Sequence, residues 1–295
     1  MARSKLIAAA LACAAPLILS ASPTAPVKAC TDDSEWTDPT RAFHIFGNTW
    51  FVGTCGLSAI LIKSPQGHVL IDGPMEENVL AIEANIQATG ARLRDVKAIV
   101  FSHAHFDHTG GIARLKRDTG ARVYGRGADA ATLEAGHTLP GDPQIKVSHG
   151  FAPVRPVVRI TPGKPLRIGA TFITPIATSG HTPGSTSWTW RSCEGRRCMQ
   201  FVYADSLTAV SDDDYRFTDE RAHPGYLAAF RASIARVGAL RCDLLLTPHP
   251  SASRMWQRFG STASAAAVDP QACMALAERA SVGLDARTAR EGGEP

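Results

Sequence analysis

Four potential metal ligands lie within six residues of one another, directly after an apolar strand: His103, His105, Asp107 and His108. Side chains two residues apart project to the same side of an extended chain, so His103, His105 and Asp107 are expected to converge. The turn before the next helix lets His108 approach from another direction. One catalytic zinc ion takes three ligands from the protein, and a closed structural site would use four Cys or His residues. The segment therefore favours two ions that share a water molecule over a turn with surface histidines.

Two later histidines have settings that suit the same purpose. His181 lies in Gly180-His181-Thr182-Pro183-Gly184 after a strand, and His249 follows the apolar strand that ends at Leu246. A lone loop histidine is more often solvated, but the first cluster still requires ligands, and functional side chains concentrate on such loops. The remaining histidines have no comparable setting and are interpreted as structural or surface residues: His44, His68, His137, His149 and His223.

The chain reads as two strand-rich halves, each followed by helices, with no linker between them. Helical spacing of apolar residues predicts helices over Glu76–Thr89, Gly111–Asp118, Ala128–Ala135, Gly225–Val237 and Pro270–Val282. Thr138–Pro153 is predicted to be a long loop that acts as a lid or a substrate-contacting flap. This pattern predicts an α+β fold, a four-layer αββα sandwich of two mixed sheets with helices on the outer faces.

Residues 1–29 have the layout of a secretory signal peptide: two early cations, an apolar run over Leu6–Leu19, then small residues and prolines. Pro16 and the short run disfavour a membrane span, which needs about 20 apolar residues. Cleavage before Cys30 and cleavage near Ala21 both remain open. A single domain is predicted over residues 30–290 and a disordered tail over residues 291–295.

Charge and cysteine usage agree with export. Removing the three cations of the signal segment from the formal charge of +4 leaves about +1, too little for a nucleic-acid binder. Six cysteines remain, an even number that suits an oxidising compartment but allows 15 connectivities. Neighbourhood along the chain favours three pairs over metal ligation: Cys30 with Cys55, Cys193 with Cys198, and Cys242 with Cys273.

The motifs H-x-H-x-D-H and G-H-T-P-G, followed by a strand-end histidine, resemble those of the metallo-β-lactamase fold superfamily over nearly all of the mature chain. Ser206 stands where other subclasses place a cysteine ligand, which makes the chain similar to the third (B3) subclass. The resemblance implies two zinc ions, the first held by His103, His105 and His181, the second by Asp107, His108 and His249. It further implies that Asp107 orients the nucleophile and that Ser206 and Thr208 bind the substrate carboxylate.

The function implied is opening of the β-lactam ring of penicillins, cephalosporins and carbapenems by a zinc-bound hydroxide, conferring antibiotic resistance. The expected protein is a periplasmic monomer that acts on a small molecule, without nucleic acid or a stable membrane anchor. Asp205 keeps an alternative open, a lactone or thioester hydrolase of the same fold. In those enzymes an aspartate near this strand end bridges the metals.

Overall fold

The structure, a computed structural model, describes Met1, residues 29–259 and residues 268–293. Apart from its two end residues, the predicted signal segment lies outside the described residues, as do residues 294–295 of the predicted tail. Within the described ranges, no helix combines the length and apolar character needed to cross a bilayer.

In the part of the chain described, seven strands form the first sheet, and they follow one another in chain order. The strands are β1 (Phe43–Phe46), β2 (Thr49–Phe51), β3 (Ile60–Ile62), β4 (His68–Ile71), β5 (Val96–Val100), β6 (Arg122–Gly125) and β7 (Val157–Arg159). The first four pair antiparallel, as the short turns between them require, and β4 to β7 pair parallel through helical crossovers. The sheet is therefore mixed.

Five further strands in the described ranges form the second sheet, in the order β12-β11-β10-β9-β8. They are β8 (Leu166–Ile168), β9 (Thr171–Ala177), β10 (Thr186–Glu194), β11 (Arg197–Tyr203) and β12 (Leu244–Leu246). Neighbours pair antiparallel except β11 and β12, which are parallel. It follows that β9, β11 and β12 all run in the same direction, so the loops after them emerge at one edge.

Helices cover the outer face of each sheet. The helices of the described ranges are α1 (Val79–Ala88), α2 (Phe106–Thr109), α3 (Ile112–Thr119), α4 (Gly127–Ala135), α5 (Tyr226–Gly238), α6 (Met255–Phe259) and α7 (Ala272–Gly293), with 3-10 turns at Glu76–Asn78, Leu93–Asp95 and Pro250–Ser253. Of these, α6 packs into the core between the sheets rather than on an outer face. Alternation along the strands explains the layering: Ile60 and Ile62 face the second sheet, whereas Leu61 packs against α1 and its neighbours. On the other side, Val202 and Leu245 pack against α5 and α7. The predicted four-layer αββα sandwich is confirmed.

All three predicted disulfides are present: Cys30–Cys55, Cys193–Cys198 and Cys242–Cys273. Cys193 and Cys198 face each other across the β10–β11 hairpin, which explains why a short turn joins them. The third disulfide fixes the start of α7 to the chain just before β12.

Two details differ from the sequence predictions. Residues 291–293 are helical rather than part of a disordered tail, because α7 continues to Gly293 and its Glu291 is buried. That carboxylate accepts hydrogen bonds from the Thr218 amide at 2.9 Å and from Arg287 Nε at 2.6 Å. In addition, Phe106–Thr109 forms the short helix α2, so Asp107 does not continue an extended strand.

Candidate metal centre

The predicted ligands come together at the edge where strands of both sheets end. His103, His105, Asp107 and His108 follow β5 of the first sheet, and the loop holding His181 follows β9 of the second. His249 follows β12, which runs parallel to β11, so the Asp205–Thr208 segment lies at the same edge. Loops from separate strands thus bring together side chains up to 146 positions apart in the sequence, from His103 to His249.

Three histidines form the first metal group: His103, His105 and His181. One nitrogen from each lies within 4.8 Å of the others, and all three side chains are buried. The rings of His103 and His181 have centroids 4.6 Å apart, and those of His103 and His105 are 4.8 Å apart. Three converging imidazoles can hold one metal ion and leave a position for water or substrate.

Each ring of the first metal group has a polar partner behind it. Nδ1 of His103 donates to Asp205 Oδ1 at 2.7 Å, and Nδ1 of His181 donates to the carbonyl oxygen of Thr208 at 2.9 Å. Nε2 of His105 donates to the Asp142 carboxylate at 3.1 Å. A partner of this kind fixes the tautomer, so the opposite nitrogen of each ring keeps its lone pair for a metal.

The name second metal group is used for the three residues predicted to hold a second ion, Asp107, His108 and His249, which contact one another directly. Oδ2 of Asp107 lies 3.0 Å from His108 Nε2 and 3.2 Å from His249 Nε2, and the two imidazole nitrogens are 3.2 Å apart. His103 stands beside this group, because one ligand atom each from His103, Asp107 and His108 also lie within 4.8 Å of one another. The first group therefore adjoins the second through His103.

The pKa values of His181, His103 and Asp107 favour the protonation states that bind metal. Burial, together with the charges of His103 and His105, lowers the pKa of His181 to about 3. Burial also holds the pKa of His103 well below its usual range. For Asp107, burial acts to raise the pKa of the carboxyl. The charge and hydrogen bond of His108, the hydrogen bond of His249 and the charge of His103 together keep that pKa well below its usual range. Neutral imidazoles and an ionised carboxylate are the states that metals bind.

His105 differs from its neighbours. Burial acts to lower its pKa, but the hydrogen bond and charge of Asp142, together with the charges of Asp107 and Asp129, outweigh burial, so the pKa lies above its ordinary value. The negative potential that favours a proton on His105 would also favour a metal cation bound to this ring. The Asp142 carboxylate therefore contributes charge to the site without belonging to either metal group.

The donor set fits zinc. Five imidazoles and one carboxylate are ligands that zinc prefers, and imidazole also suits other late transition metals. Nε2 of His103 is buried and has no hydrogen-bond partner among the residues described, and the same holds for Nδ1 of His108. A buried polar atom without a partner is costly. A metal ion bound by the rings of the first metal group would give His103 Nε2 a partner.

Two buried aspartates outside the metal groups hold the ligand loops. Asp72, at the end of β4 with a positive φ of 61°, accepts hydrogen bonds from the Ser102 amide at 2.7 Å and from Tyr203 Oη at 2.6 Å. Asp129, in the first turn of α4, accepts from the Ala104 amide at 3.1 Å, the Thr182 hydroxyl at 2.7 Å and the Gly184 amide at 2.7 Å. A single carboxylate thus joins the loop of His103 and His105 to the loop of His181.

A cleft of about 530 Å³ opens onto the metal groups, and its size is that of pockets that bury drug-sized ligands. Ser206 and Thr208, which are predicted to bind the substrate carboxylate, line this cleft. The Thr208 hydroxyl also lies 3.2 Å from His181 Nδ1, so it contacts a metal-group histidine as well as the cleft. The Ser206 amide donates to Asp205 Oδ1 at 2.7 Å.

Sequence reasoning missed several residues around the site. Asp142 and Gln144 lie in the predicted flap, where residues 138–153 contain neither strand nor helix, and Gln144 Nε2 approaches His181 Nε2 to 3.2 Å. Asp72 and Asp129 were missed as well, because neither lies in a recognisable sequence motif. Asp107 does converge with His103, as expected, but strand alternation is the wrong reason, because helix α2 places Asp107 beside His108 and His249. An isolated aspartate or glutamine carries no spacing signal, so only the three-dimensional contacts reveal these roles.

Comparisons with known proteins agree with this geometry. The family model for the metallo-beta-lactamase superfamily matches residues 52–194. Among solved structures, MEM-A1, a subclass B3 metallo-beta-lactamase from a soil metagenome library, is 42% identical, with a TM-score of 0.84 and coverage of 88% of this chain and 100% of that chain. MIM-1 from Novosphingobium pentaromativorans, a metallo-beta-lactamase, is 40% identical, with a TM-score of 0.83 and coverage of 88% and 93%.

A curated relative is more distant. Hydroxyacylglutathione hydrolase from Acidiphilium cryptum is 28% identical over 166 residues, which cover 56% of this chain. The match spans 53% of that relative, about half of its length. The similarity to the solved structures is thus both higher and more complete.

Proposed function

The chain belongs to the metallo-β-lactamase superfamily and, within it, to subclass B3, and we propose that it opens the β-lactam ring of penicillins, cephalosporins and carbapenems, conferring antibiotic resistance. The observation that carries the proposal is similarity over 88% of the chain to subclass B3 enzymes, combined with two adjacent metal groups beneath one cleft. The enzyme is a metal-dependent hydrolase of cyclic amides.

Two zinc ions are part of the proposal. His103, His105 and His181 would hold the first, because their rings are buried, neutral or backed by a carboxylate, and converge. Asp107, His108 and His249 would hold the second. Zinc bound in this way supplies a nucleophilic hydroxide near neutral pH and acts as a Lewis acid on the carbonyl.

The chain's own residues then position the reactants. Asp107 is ionised and lines the cleft, so its carboxylate accepts a hydrogen bond from the attacking water and orients it toward the lactam carbonyl. Ser206 and Thr208 donate hydrogen bonds to the substrate carboxylate, which fixes the ring over the metal groups. Trp36 and Val210 line the cleft as well and exclude water around the apolar parts of the substrate. No covalent intermediate with the protein is required.

Thioester or lactone hydrolysis is the second candidate, and Asp205 is the residue that favours it. Oδ2 of Asp205 is buried without a hydrogen-bond partner among the described residues, as a carboxylate that faces a metal would be. Against this, Oδ1 is engaged with Nδ1 of His103, on the side of the ring away from the unpartnered Nε2. Asp205 therefore acts as a partner of His103 in the proposed lactamase.

Hydrolysis of a chromogenic cephalosporin and of a glutathione thioester, each with and without a chelator, tests the proposal. We expect cephalosporin turnover that the chelator abolishes and zinc restores, with little thioester turnover. The variant His249→Ala should lose this activity, whereas the matched control His44→Ala, in strand β1, should keep it. Efficient thioester hydrolysis without cephalosporin hydrolysis would reverse the assignment.

Export to the periplasm completes the proposal. Three disulfides suit an oxidising compartment, and the signal-like residues 1–29 would direct the chain there as a monomer without a stable membrane anchor. Fractionation of a producing cell, followed by N-terminal sequencing of the mature protein, tests both the location and the cleavage point.

A further inference from the structure

The cleft extends well beyond the metal groups, and one face of helix α7 forms its far wall. The residues of α7 that line it recur at spacings of three and four, which places them on one side of the helix. They are Leu276, Arg279, Ala280, Gly283, Arg287 and Arg290. The same cleft is lined by Asp107 and His249, so the α7 wall and the metal groups bound one continuous space.

The α7 wall carries uncompensated positive charge. The carboxylates among the described lining residues are Asp107 and Asp205, and both belong to the region around the metal groups. Arg279 and Arg290 are exposed and form no ion pair with any carboxylate in the described ranges. Arg279 donates only to the carbonyl oxygen of Ala252, at 3.1 Å.

Arg287 is different from these two arginines. Its guanidinium donates to Glu291 Oε1 at 2.6 Å, to Ser211 Oγ at 2.8 Å and to the carbonyl oxygen of Tyr215 at 2.9 Å. These contacts connect α7 to the segment after β11, and they occupy the hydrogen-bond donors of the Arg287 guanidinium. Arg287 therefore supports the wall, while Arg279 and Arg290 have donors left for a ligand.

We propose that Arg279, which contacts Ala252 in the turn directly after His249, forms a subsite for a second anionic group of the substrate, a carboxylate on the acyl side chain of a β-lactam. Arg290 lies 11 residues farther along α7, about 16 Å along the helix axis, and adds only longer-range positive charge. This inference rests on the proposed function. The volume of the cleft allows a drug-sized substrate to keep its ring at the metal groups while its side chain reaches α7. A guanidinium matches a carboxylate in charge and in fork geometry, and the apolar lining from Leu276 and Ala280 lowers the competition from water.

Benzylpenicillin and α-carboxybenzylpenicillin provide a matched test, because they differ by one side-chain carboxylate. For Arg279→Gln and for the double variant with Arg290→Gln, we expect KM for α-carboxybenzylpenicillin to rise about three- to tenfold, with kcat nearly unchanged, since partly exposed charge pairs contribute modestly. Arg290→Gln alone should change this KM by less than about twofold. KM for benzylpenicillin should stay within about twofold of that of the parent enzyme. The control is Arg196→Gln, which removes the same charge at the exposed β10–β11 turn.

Three results would overturn the subsite: equal losses with both penicillins, a loss that Arg196→Gln reproduces, or no change in either double-variant KM. The second of these would mean that the arginines act through overall charge alone. Calorimetric binding of the two ring-opened penicilloates to the zinc-loaded protein measures the same difference without turnover. It decides the subsite even if the chain hydrolyses neither penicillin, an outcome that would instead refute the proposed function.

Discussion

The three histidines of the first metal group are each held from behind by another part of the chain, whereas the members of the second group mainly hold one another. Asp205, Asp142 and the Thr208 carbonyl fix the rings of the first group. In the second group, Asp107 lies between His108 and His249, and Nδ1 of His108 has no hydrogen-bond partner in the described ranges. The first group therefore has outer support from other parts of the chain, which the second group largely lacks.

This difference predicts unequal metal affinity. Outer partners that orient metal ligands typically change affinity by 10- to 100-fold. We expect the first metal group to bind zinc more tightly, so the two metal groups should gain and lose their zinc ions one after the other.

Stepwise chelation gives the largest expected effect. As a competing chelator removes zinc, we expect the second group to empty first, with turnover falling strongly at that step and to the background rate once both ions are lost. Metal analysis alongside cephalosporin hydrolysis measures both quantities. One ion per chain at full activity would contradict the two-ion mechanism, and simultaneous loss of both ions would contradict the ranking of the groups.

The next largest effect is expected from removing the carboxylates of Asp205 and Asp142. Without them, the first metal group should lose its higher zinc affinity. Asp205→Asn and Asp142→Asn each leave a histidine without its anionic partner, so zinc affinity of the first group should fall by about 10- to 100-fold while that of the second changes little. Competition against a chromophoric chelator measures the two affinities. Asp213→Asn, at an exposed position, serves as the matched control.

Ser206→Ala provides a contrast with Asp205→Asn. The two residues are adjacent in the chain, but Ser206 is proposed to contact the substrate rather than a metal ligand. Losing a hydrogen bond to a substrate carboxylate costs about 1.5 to 3 kcal/mol, so substrate binding should weaken while both zinc ions remain. Complete metal loss in Asp205→Asn together with efficient thioester hydrolysis by the parent enzyme would mean that Asp205 bridges the ions.

The sequence predicted the ligands better than their supports, and the reason is physical. Histidines clustered as in H-x-H-x-D-H have few structural explanations, and loops after parallel strands meet at one edge, so the six predicted ligands could be brought together without coordinates. The four-layer fold followed from alternating strands and helices. The disulfides followed from chain neighbourhood.

The supports could not be predicted because their partners are distant in the sequence. Asp129 meets Ala104, 25 positions away, and Gly184, 55 positions away, and nothing in Gly127-Ala128-Asp129-Ala130 indicates either contact. The turn of α2 was missed for a local reason, since four residues are too few to show helical periodicity. Helix α7 exceeded its predicted end because Glu291 gains buried partners that only the folded chain supplies.

Asp129 offers a further test of how the first metal group is supported, since its carboxylate joins the two loops that carry the three histidines. Asn at this position would turn an amide N–H₂ toward at least one of the donors that now bond the carboxylate. We expect Asp129→Asn to lower the free energy of unfolding of the zinc-free protein by about 1 to 3 kcal/mol, the cost of an unsatisfied buried group. Chemical denaturation measures this, with Asp213→Asn as the reference. An unchanged stability would show that the loops hold their positions without α4.

The smallest expected effect concerns the second group and its aromatic neighbour Trp36. The ring centroid of Trp36 lies 5.5 Å from that of His249 and 6.0 Å from that of Phe106. Its backbone is held independently, because the carbonyl oxygen accepts hydrogen bonds from the Thr54 hydroxyl at 2.7 Å and from Asn78 Nδ2 at 3.1 Å. Removing the side chain should therefore leave the segment in place.

Aromatic pairs contribute about 0.5 to 1.5 kcal/mol, so Trp36→Ala should weaken the second zinc ion by about two- to tenfold and leave the first unaffected. Trp36→Phe keeps an aromatic ring against His249 and should retain most of the affinity. The chelator competition used for the aspartate variants separates the two ions. A loss confined to the first ion, or no change in Trp36→Ala, would mean that the second group does not depend on this ring and that its ligands are held by their mutual contacts alone. An equal loss in both variants would instead mean that the indole itself is required.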